Sequence, residues 1–466
     1  MLRTTNAQRS LWEAILPGEA LGLPAELTGV DRLLDDPVFI EPFRAHFDPI
    51  IGRPSIPIET YLRLMFLKFR YRLGYELLCR EVADSISWQR FCRIPLGGRV
   101  PHPTTLVKLT RRVGEQTVEA LNQALLARAA EHKLLRTHKL RADTTVIAAN
   151  VAYPTDLGLL ARAVDKLATT VKRVQAAGGA TRTRVRDRRR AARRRAHEVA
   201  RAMRSRTGQA RQVVFEVTRQ VARLAEAQLA DARRVVAGTR RALARGRARP
   251  TGRLRALVDE FQTTIQRSQR LLDQAHTRLA GGMPEGASRL VSLHDPDARP
   301  IRKGRLGRPV EFGYKAQVLD NSHGIVLDHQ VMVGNPSDAP LLAPAIGRVI
   351  ARTGKVPRAV TADRGYGEAA VDQELADLGV VRVAIPRRGR AGPARQLVER
   401  QRGFRRLVKW RTGCEGRISC LKHRFGWDRT RMDGIHGARI WCGHGVLAHN
   451  LVKVSSLLEA RHSNTA

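Results

Sequence analysis

Apolar residues fall three and four apart along most of the chain before position 300, the spacing of helices that bury one face. Two stretches break that rhythm, one near position 140 and one beyond 305, where apolar positions alternate or run together as in strands. From about 31 to 134 the helical segments are punctuated by proline and glycine: residues 61–70, then 75–83, then 105–113 after Pro101-His-Pro103, with Thr104 placed as a cap. This predicts an all-α N-terminal domain over residues 1–134. Lys108, Arg111 and Arg112 project from the otherwise apolar last segment. That is the outline of a helix-turn-helix reader, and equally of a plain bundle with a solvated basic face.

Residues 158–300 form a second helical block, dense in Arg and Ala, with 12 arginines between Thr181 and Arg206. Val214, Val217, Val221 and Leu224, then Leu254, Leu257, Phe261, Ile265 and Leu272, mark apolar stripes that need a partner helix in this chain or another. The block reads as an inserted arm whose basic face suits phosphates, or as a basic helix without a fixed role.

The strand-like stretches frame this insertion. Residues 140–147 are β-prone and hold Asp143. Residues 311–319 and 325–333 read as paired strands turned by Asp320-Asn-Ser-His-Gly324. A helix at 339–351 follows, then a strand at 359–363 ending on Asp363, a helix at 368–378, a strand at 380–385 stopped by Pro386, and a helix from 397 to 423. The order β, β, β, α, β, α, β, α is that of a ribonuclease H-like α/β fold with a mixed five-stranded sheet. Its first part would be 135–157 and its remainder 301–466.

Charge narrows the partners. Lys plus Arg number 83 against 43 acids, a net charge of +40, which points to a polyanion and first to nucleic acid. No apolar run approaches a membrane span and Met1-Leu-Arg-Thr-Thr lacks a signal pattern, so a cytoplasmic protein without a membrane partner is expected. Five cysteines without a C-x-x-C pair support neither disulfides nor a zinc ribbon. Cys442, His444 and His449 crowd together without a fourth ligand and read as packing groups. No G-x-x-x-x-G-K-[ST] is present, so no nucleotide cofactor is expected.

Arg411, Glu415 and Lys422 leave one stripe of the last of these helices, within about 40° of each other at 3.6 residues per turn. The spacing suits an acid held beside phosphate chemistry, and equally a surface ion-pair ladder. Asp143 and Asp363 each sit where a buried strand runs out, the second before glycines that permit a sharp turn. In a ribonuclease H-like order their strands are neighbours, so Asp143, Asp363 and Glu415 would converge. Three such carboxylates favour hard divalent cations, Mg²⁺ or Mn²⁺, and two ions would suit in-line attack on a phosphodiester. Arg411 and Lys422 would then position phosphate oxygens.

At these residues the chain resembles the bacterial insertion-sequence DDE transposases whose last motif reads Y-x-x-R-x-x-x-E-x-x-x-x-x-x-K. Arg411, Glu415 and Lys422 match in register, while Val408 stands at the tyrosine position. The region of Asp143, with Asn150 and Tyr153 after it, is similar to the family's first-aspartate region, and Ala362-Asp-Arg-Gly-Tyr366 to its second. The resemblance implies an enzyme that binds terminal inverted repeats of a mobile element. It would hydrolyse strand ends to free 3′-hydroxyls and join them to target DNA as a homodimer, nucleoid-associated when bound. Arg364, Tyr366 and Asn150 would support the metal pocket or simply cap, pack and pair. A catalytically inactive DNA-binding regulator derived from a transposase is the alternative; a simple nuclease of the same fold and a structural polyanion binder are further rivals.

Overall fold

The helix Ile58–Arg70 is buried from Ile58 through Phe69, its three charged residues Glu59, Arg63 and Lys68 included. Such a segment survives only if its polar groups find partners. Arg63 does, donating to Asp31 (2.7 Å) and Asp35 (2.6 Å). Around this helix pack Ala25–Leu34, Tyr75–Asp84 and the C-terminal helix Gly434–Thr465, which also lies along Pro103–Glu131. The computed structural model describes residues 1–4, 15, 22–202, 208–246, 248–302 and 309–465. These helices share one compact unit with most of the sheet, over residues 1–148, 314–332 and 336–466.

The helix expected from Thr105 begins instead at Pro103, with His102 as the N-cap accepting from the Thr104 amide (3.3 Å). Proline at the first helical position loses no hydrogen bond, so the Pro-His-Pro element opens the helix. At Gly114 the backbone turns to φ 71°, a kink that only glycine adopts without strain, and the helix then resumes to Glu131.

In chain order the strands are β1 (Lys139–Ala148), β2 (Arg299–Arg302), β3 (Val310–Asn321), β4 (Val326–Val333), β5 (Ala359–Thr361) and β6 (Arg382–Ala384). β4, β3, β1, β5 and β6 follow one another across the sheet. β1–β5 and β5–β6 are parallel; the helix Ala339–Thr353 leads from β4 into β5, and Ala369–Asp377 connects β5 to β6. β1 is buried on both faces through most of its length, as a central strand must be.

Among the described residues the sheet has six strands rather than the expected five. β2 pairs antiparallel with residues 310–313 of β3, and its Arg-Pro-Ile-Arg composition hid it from a pattern search. The single helix expected from 397 to 423 is two, Pro393–Arg400 and Arg402–Arg424. Gln401 between them is extended (φ −60°, ψ 139°), a break that no proline announces.

The second unit comprises residues 149–313 and 333–335. Its helices Asp156–Ala176, Arg189–Ala202, Gly208–Ala244 and Gly252–Leu279 enclose a core of their own. Val217, Val221, Leu254, Leu257, Phe261 and Leu272 are buried in that core, with Val214, Leu224 and Ile265 packed against it. The stripes therefore find their partner within the same chain. Part of the arginine run is also tied down: Arg188 pairs with Asp231 (2.5 Å), Arg189 with Asp187 (2.7 Å) and Arg193 with Asp165 (2.5 Å). Arg204 and Arg206 lie outside the described residues.

Candidate active site

The parallel register of β1 and β5 pairs Lys139 with Ala359, Leu140 with Val360 and Arg141 with Thr361. Two residues beyond the last pair in each strand stand Asp143 and Asp363. Adjacent parallel strands thus bring the two acids to one place, Asp143 within β1 and Asp363 just past the end of β5. Asp363 then caps the turn Arg364–Tyr366 by accepting from the Gly365 amide (2.8 Å), and Asp143 accepts from the Thr144 amide (2.8 Å).

The third acid arrives on the helix Arg402–Arg424. Arg411 donates to Glu415 at 2.9 Å, one turn along the helix, and reaches Asp143 on β1 at 3.4 Å. The ion-pair ladder allowed by the spacing is therefore present, but it does not stay on the surface. Arg411 has only 16% of its side chain exposed and links helix to strand, while Glu415 is 61% exposed. Lys422 is half-buried two turns further on, roughly 10 Å along the axis at 1.5 Å per residue.

This helix is held against β1 by an ion cluster. Arg141 donates to Asp320 through two nitrogens (2.6 and 2.9 Å) and to the carbonyl of Trp410 (2.8 Å), and stacks on the Trp410 ring at 4.6 Å. Arg417 adds a second contact to Asp320 at 3.3 Å. Gly413 sits mid-helix because a Cβ there would collide with the Arg141 guanidinium.

Burial raises the Asp143 pKa to about 7, and the neighbouring Asp363 and Glu415 charges push the same way against Arg411. Burial also raises Asp363, helped by Asp338. A carboxyl whose folded pKa exceeds its unfolded value keeps its proton where the unfolded chain has lost it. Stability therefore falls as pH rises from about 4 through 7. Asp143→Asn removes this dependence. In chelator-treated buffer its melting point should match the parent near pH 4 and exceed it above pH 7, by a stability difference on the order of 3 kcal/mol. Parallel melting curves across that window would contradict the assignment.

Sequence reasoning missed Asp338. It precedes the helix Ala339–Thr353, pairs with Lys315 (2.6 Å) and accepts from Thr144 Oγ1 (3.0 Å). Its neighbour Pro340 marks a helix start, and the residue was legible as that alone. Tyr366 is fully buried and its hydroxyl accepts from Gln317 (3.1 Å), so it packs beneath the site. Arg364 is exposed, Val408 is half-buried, and Asn150 is exposed on the second unit. Lys108 and Arg111 are exposed on the helix Pro103–Glu131, whereas Arg112 bonds the His46 carbonyl and covers the Phe47 ring at 4.5 Å. His444 stacks on Phe69 and His449 bonds the Gly324 carbonyl, both in the core.

All three acids offer only oxygen, the donor that hard divalent cations take. Among the described residues no three His, Cys, Asp or Glu side chains form a group that could hold a metal ion. Arg411 bridges Asp143 and Glu415 and supplies their counter-charge. The donor chemistry and the repulsion of Asp363 and Glu415 at Asp143 suit a divalent cation, but with Arg411 between Asp143 and Glu415 the three acids do not stand as a closed ligand group, and holding an ion requires them to draw together.

No helix among the described residues is long and apolar enough to cross a membrane. The Transposase domain (DUF772) family matches residues 19–112, and the Transposase DDE domain family matches residues 288–451. The second match contains Asp363, Arg411, Glu415 and Lys422; Asp143 lies outside both, on a strand that the register ties to Asp363. The chain is similar to uncharacterized protein ORF8 in the nfe locus of Rhizobium meliloti, 28% identical over 140 residues, or 29% of this chain and 67% of that protein. No solved structure matches it. Transposase domains thus lie on both sides of the helical insertion, and the two family matches together support an insertion-sequence DDE transposase.

Proposed function

We propose that the protein binds the terminal inverted repeats of a mobile element, cleaves DNA strands at their ends and transfers the freed 3′-hydroxyls to target DNA. One observation carries this reading. Asp143 on β1 and Asp363 just past the end of the neighbouring parallel strand β5 stand close enough to repel, while Arg411 spans from Asp143 to Glu415. Asp143, Asp363 and Glu415 would hold two divalent ions, Mg²⁺ or Mn²⁺, whose chemistry is to activate the attacking hydroxyl and stabilise the leaving oxygen. The protein's own part is positional. Asp143 must lose its proton to become a ligand, and Arg411, freed from the acids it neutralises, turns to the non-bridging phosphate oxygens. Lys422 extends that cationic edge two turns along the helix. The net charge of +40 gathers the duplex, and two protomers bring two ends together in a bacterial cytoplasm.

The helices of residues 1–134 supply DNA contacts in this reading, with Lys108 and Arg111 facing solvent. Lys108→Ala and Arg111→Ala should each make the slope of log affinity against log salt shallower by about 0.9, the loss of one phosphate contact. Arg112→Ala should instead lower the melting point, because its guanidinium already serves Phe47 and His46. Filter binding across a salt series, beside thermal melting, separates the two outcomes.

The decisive assay combines purified protein, labelled element ends, a target plasmid and Mg²⁺. Cut strands with 3′-hydroxyls and joined products are expected. Binding of the ends without any cut strand would assign the protein to regulation instead.

A further inference from the structure

Lys68 is 2% exposed, on the buried helix Ile58–Arg70. Its ammonium is enclosed by aromatic rings, with the centroids of Phe69 and Tyr75 at 4.6 Å and that of Trp441 at 4.1 Å. Among the described residues no carboxylate pairs with it. Ring faces recover part of the lost hydration of a cation, and an uncompensated buried charge remains unfavourable. Burial, with the Arg431 charge beside it, lowers the Lys68 pKa to about 7.

Beside Lys68 opens a cavity of about 200 Å³, lined also by Arg72, Arg429, Arg431, Asp428 and Trp441. Four cations thus face one acid. Asp428 is already engaged by Arg72 at 2.7 Å, while Arg429 and Arg431 are exposed and have no ion-pair partner among the described residues. The segment bearing them is fixed to the sheet, since the Thr430 amide donates to the Ala148 carbonyl at the end of β1 (2.9 Å). Asp143 lies five residues back along that strand, roughly 17 Å at 3.3 Å per residue. A duplex reaching the acids would extend past the cavity.

We propose that this cavity is a phosphate-binding site, with Lys68, Arg429 and Arg431 as its cations, that closes on one phosphate group of DNA. A tetrahedral dianion or a backbone diester supplies the counter-charge the cavity lacks, and the aromatic wall holds Lys68 in place without neutralising it. Phosphate capture stands on the cavity alone; its assignment to DNA rests on the function proposed above.

The test uses the full chain with Lys68→Met and Arg431→Gln. Methionine keeps much of the buried volume and removes an unpaired charge, so Lys68→Met should fold; Arg431 is exposed, so Arg431→Gln keeps the test open if it does not. Inorganic phosphate, exchanged for chloride at constant ionic strength, should raise the melting point of the parent and raise that of either variant much less. Affinity for a 5′-hydroxyl duplex and for the same duplex carrying a 5′-phosphate is then measured against salt. A slope shallower by about 0.9 in the variants on both duplexes identifies a backbone phosphate, and a change confined to the second identifies a terminal one. Phosphate-dependent melting through Lys68 without DNA affinity in the parent would keep the site and remove the DNA reading. Equal phosphate responses and unchanged slopes in both variants would overturn the proposal.

Discussion

Asp143→Asn, Asp363→Asn and Glu415→Gln should each bind element ends as the parent does and yield no cut strand, a loss of about 10³-fold or more in cleavage. The expectation rests on separating fold from chemistry at each position. Burial and neighbouring acids raise the pKa of both aspartates, so an amide relieves strain at Asp143 and is tolerated at Asp363. Glu415 is mostly exposed, and its helical pair with Arg411 contributes on the order of 0.5 kcal/mol to stability. None of the three changes should unfold the protein, and each removes a charged ligand that an amide oxygen replaces poorly at a hard cation. Labelled strands resolved on a denaturing gel, with melting curves beside them, read both halves of the prediction. Cleavage at the parental rate by any one variant would remove that residue from the site.

Sequence reading reached this constellation unevenly, for physical reasons. Asp363 was legible because an acid just past a buried strand is expensive without a purpose, and the ribonuclease H-like strand order made its strand the neighbour of β1; Asp143 was expected where its strand runs out, and it stands instead in the middle of β1, which continues to Ala148. The helical triplet was ambiguous, since Arg411–Glu415 spacing is the same on a solvated ladder and at a site. The 3.4 Å reach from Arg411 to β1 shows that the pair is not confined to a solvated helix face. Asp338 was invisible because its partners Lys315 and Thr144 are far away in the chain, and a helix-capping aspartate asks for no other explanation. β2 was missed because four residues with two arginines and a proline carry no strand pattern. The insertion's stripes showed that a partner helix was required and not which chain supplied it. Lys68 was not singled out, because neither its burial nor its aromatic cage leaves a mark in local sequence.

The other large effect concerns Asp320, which contributes no chemistry of its own. It is fully buried and accepts from both Arg141 and Arg417, whose side chains are only 8% and 12% exposed. Asp320→Ala leaves two guanidinium groups in the interior without their shared counter-ion, a change expected to lower stability by about 3–5 kcal/mol. Against a domain stability of roughly 5–15 kcal/mol that is a large fraction, visible as a fall in the denaturant midpoint. Because Arg141 also bonds and stacks on Trp410, the neighbour of Arg411, cleavage should weaken even where the protein remains folded. Adding Arg141→Met to Asp320→Ala should recover part of the stability, since removing the stranded charge is less unfavourable than burying it alone. It should not recover cleavage, because the helix then lacks its tie to β1. Recovery of both together would mean that the cluster only fills space; recovery of stability alone means that it sets the position of Arg411 and Glu415 against Asp143.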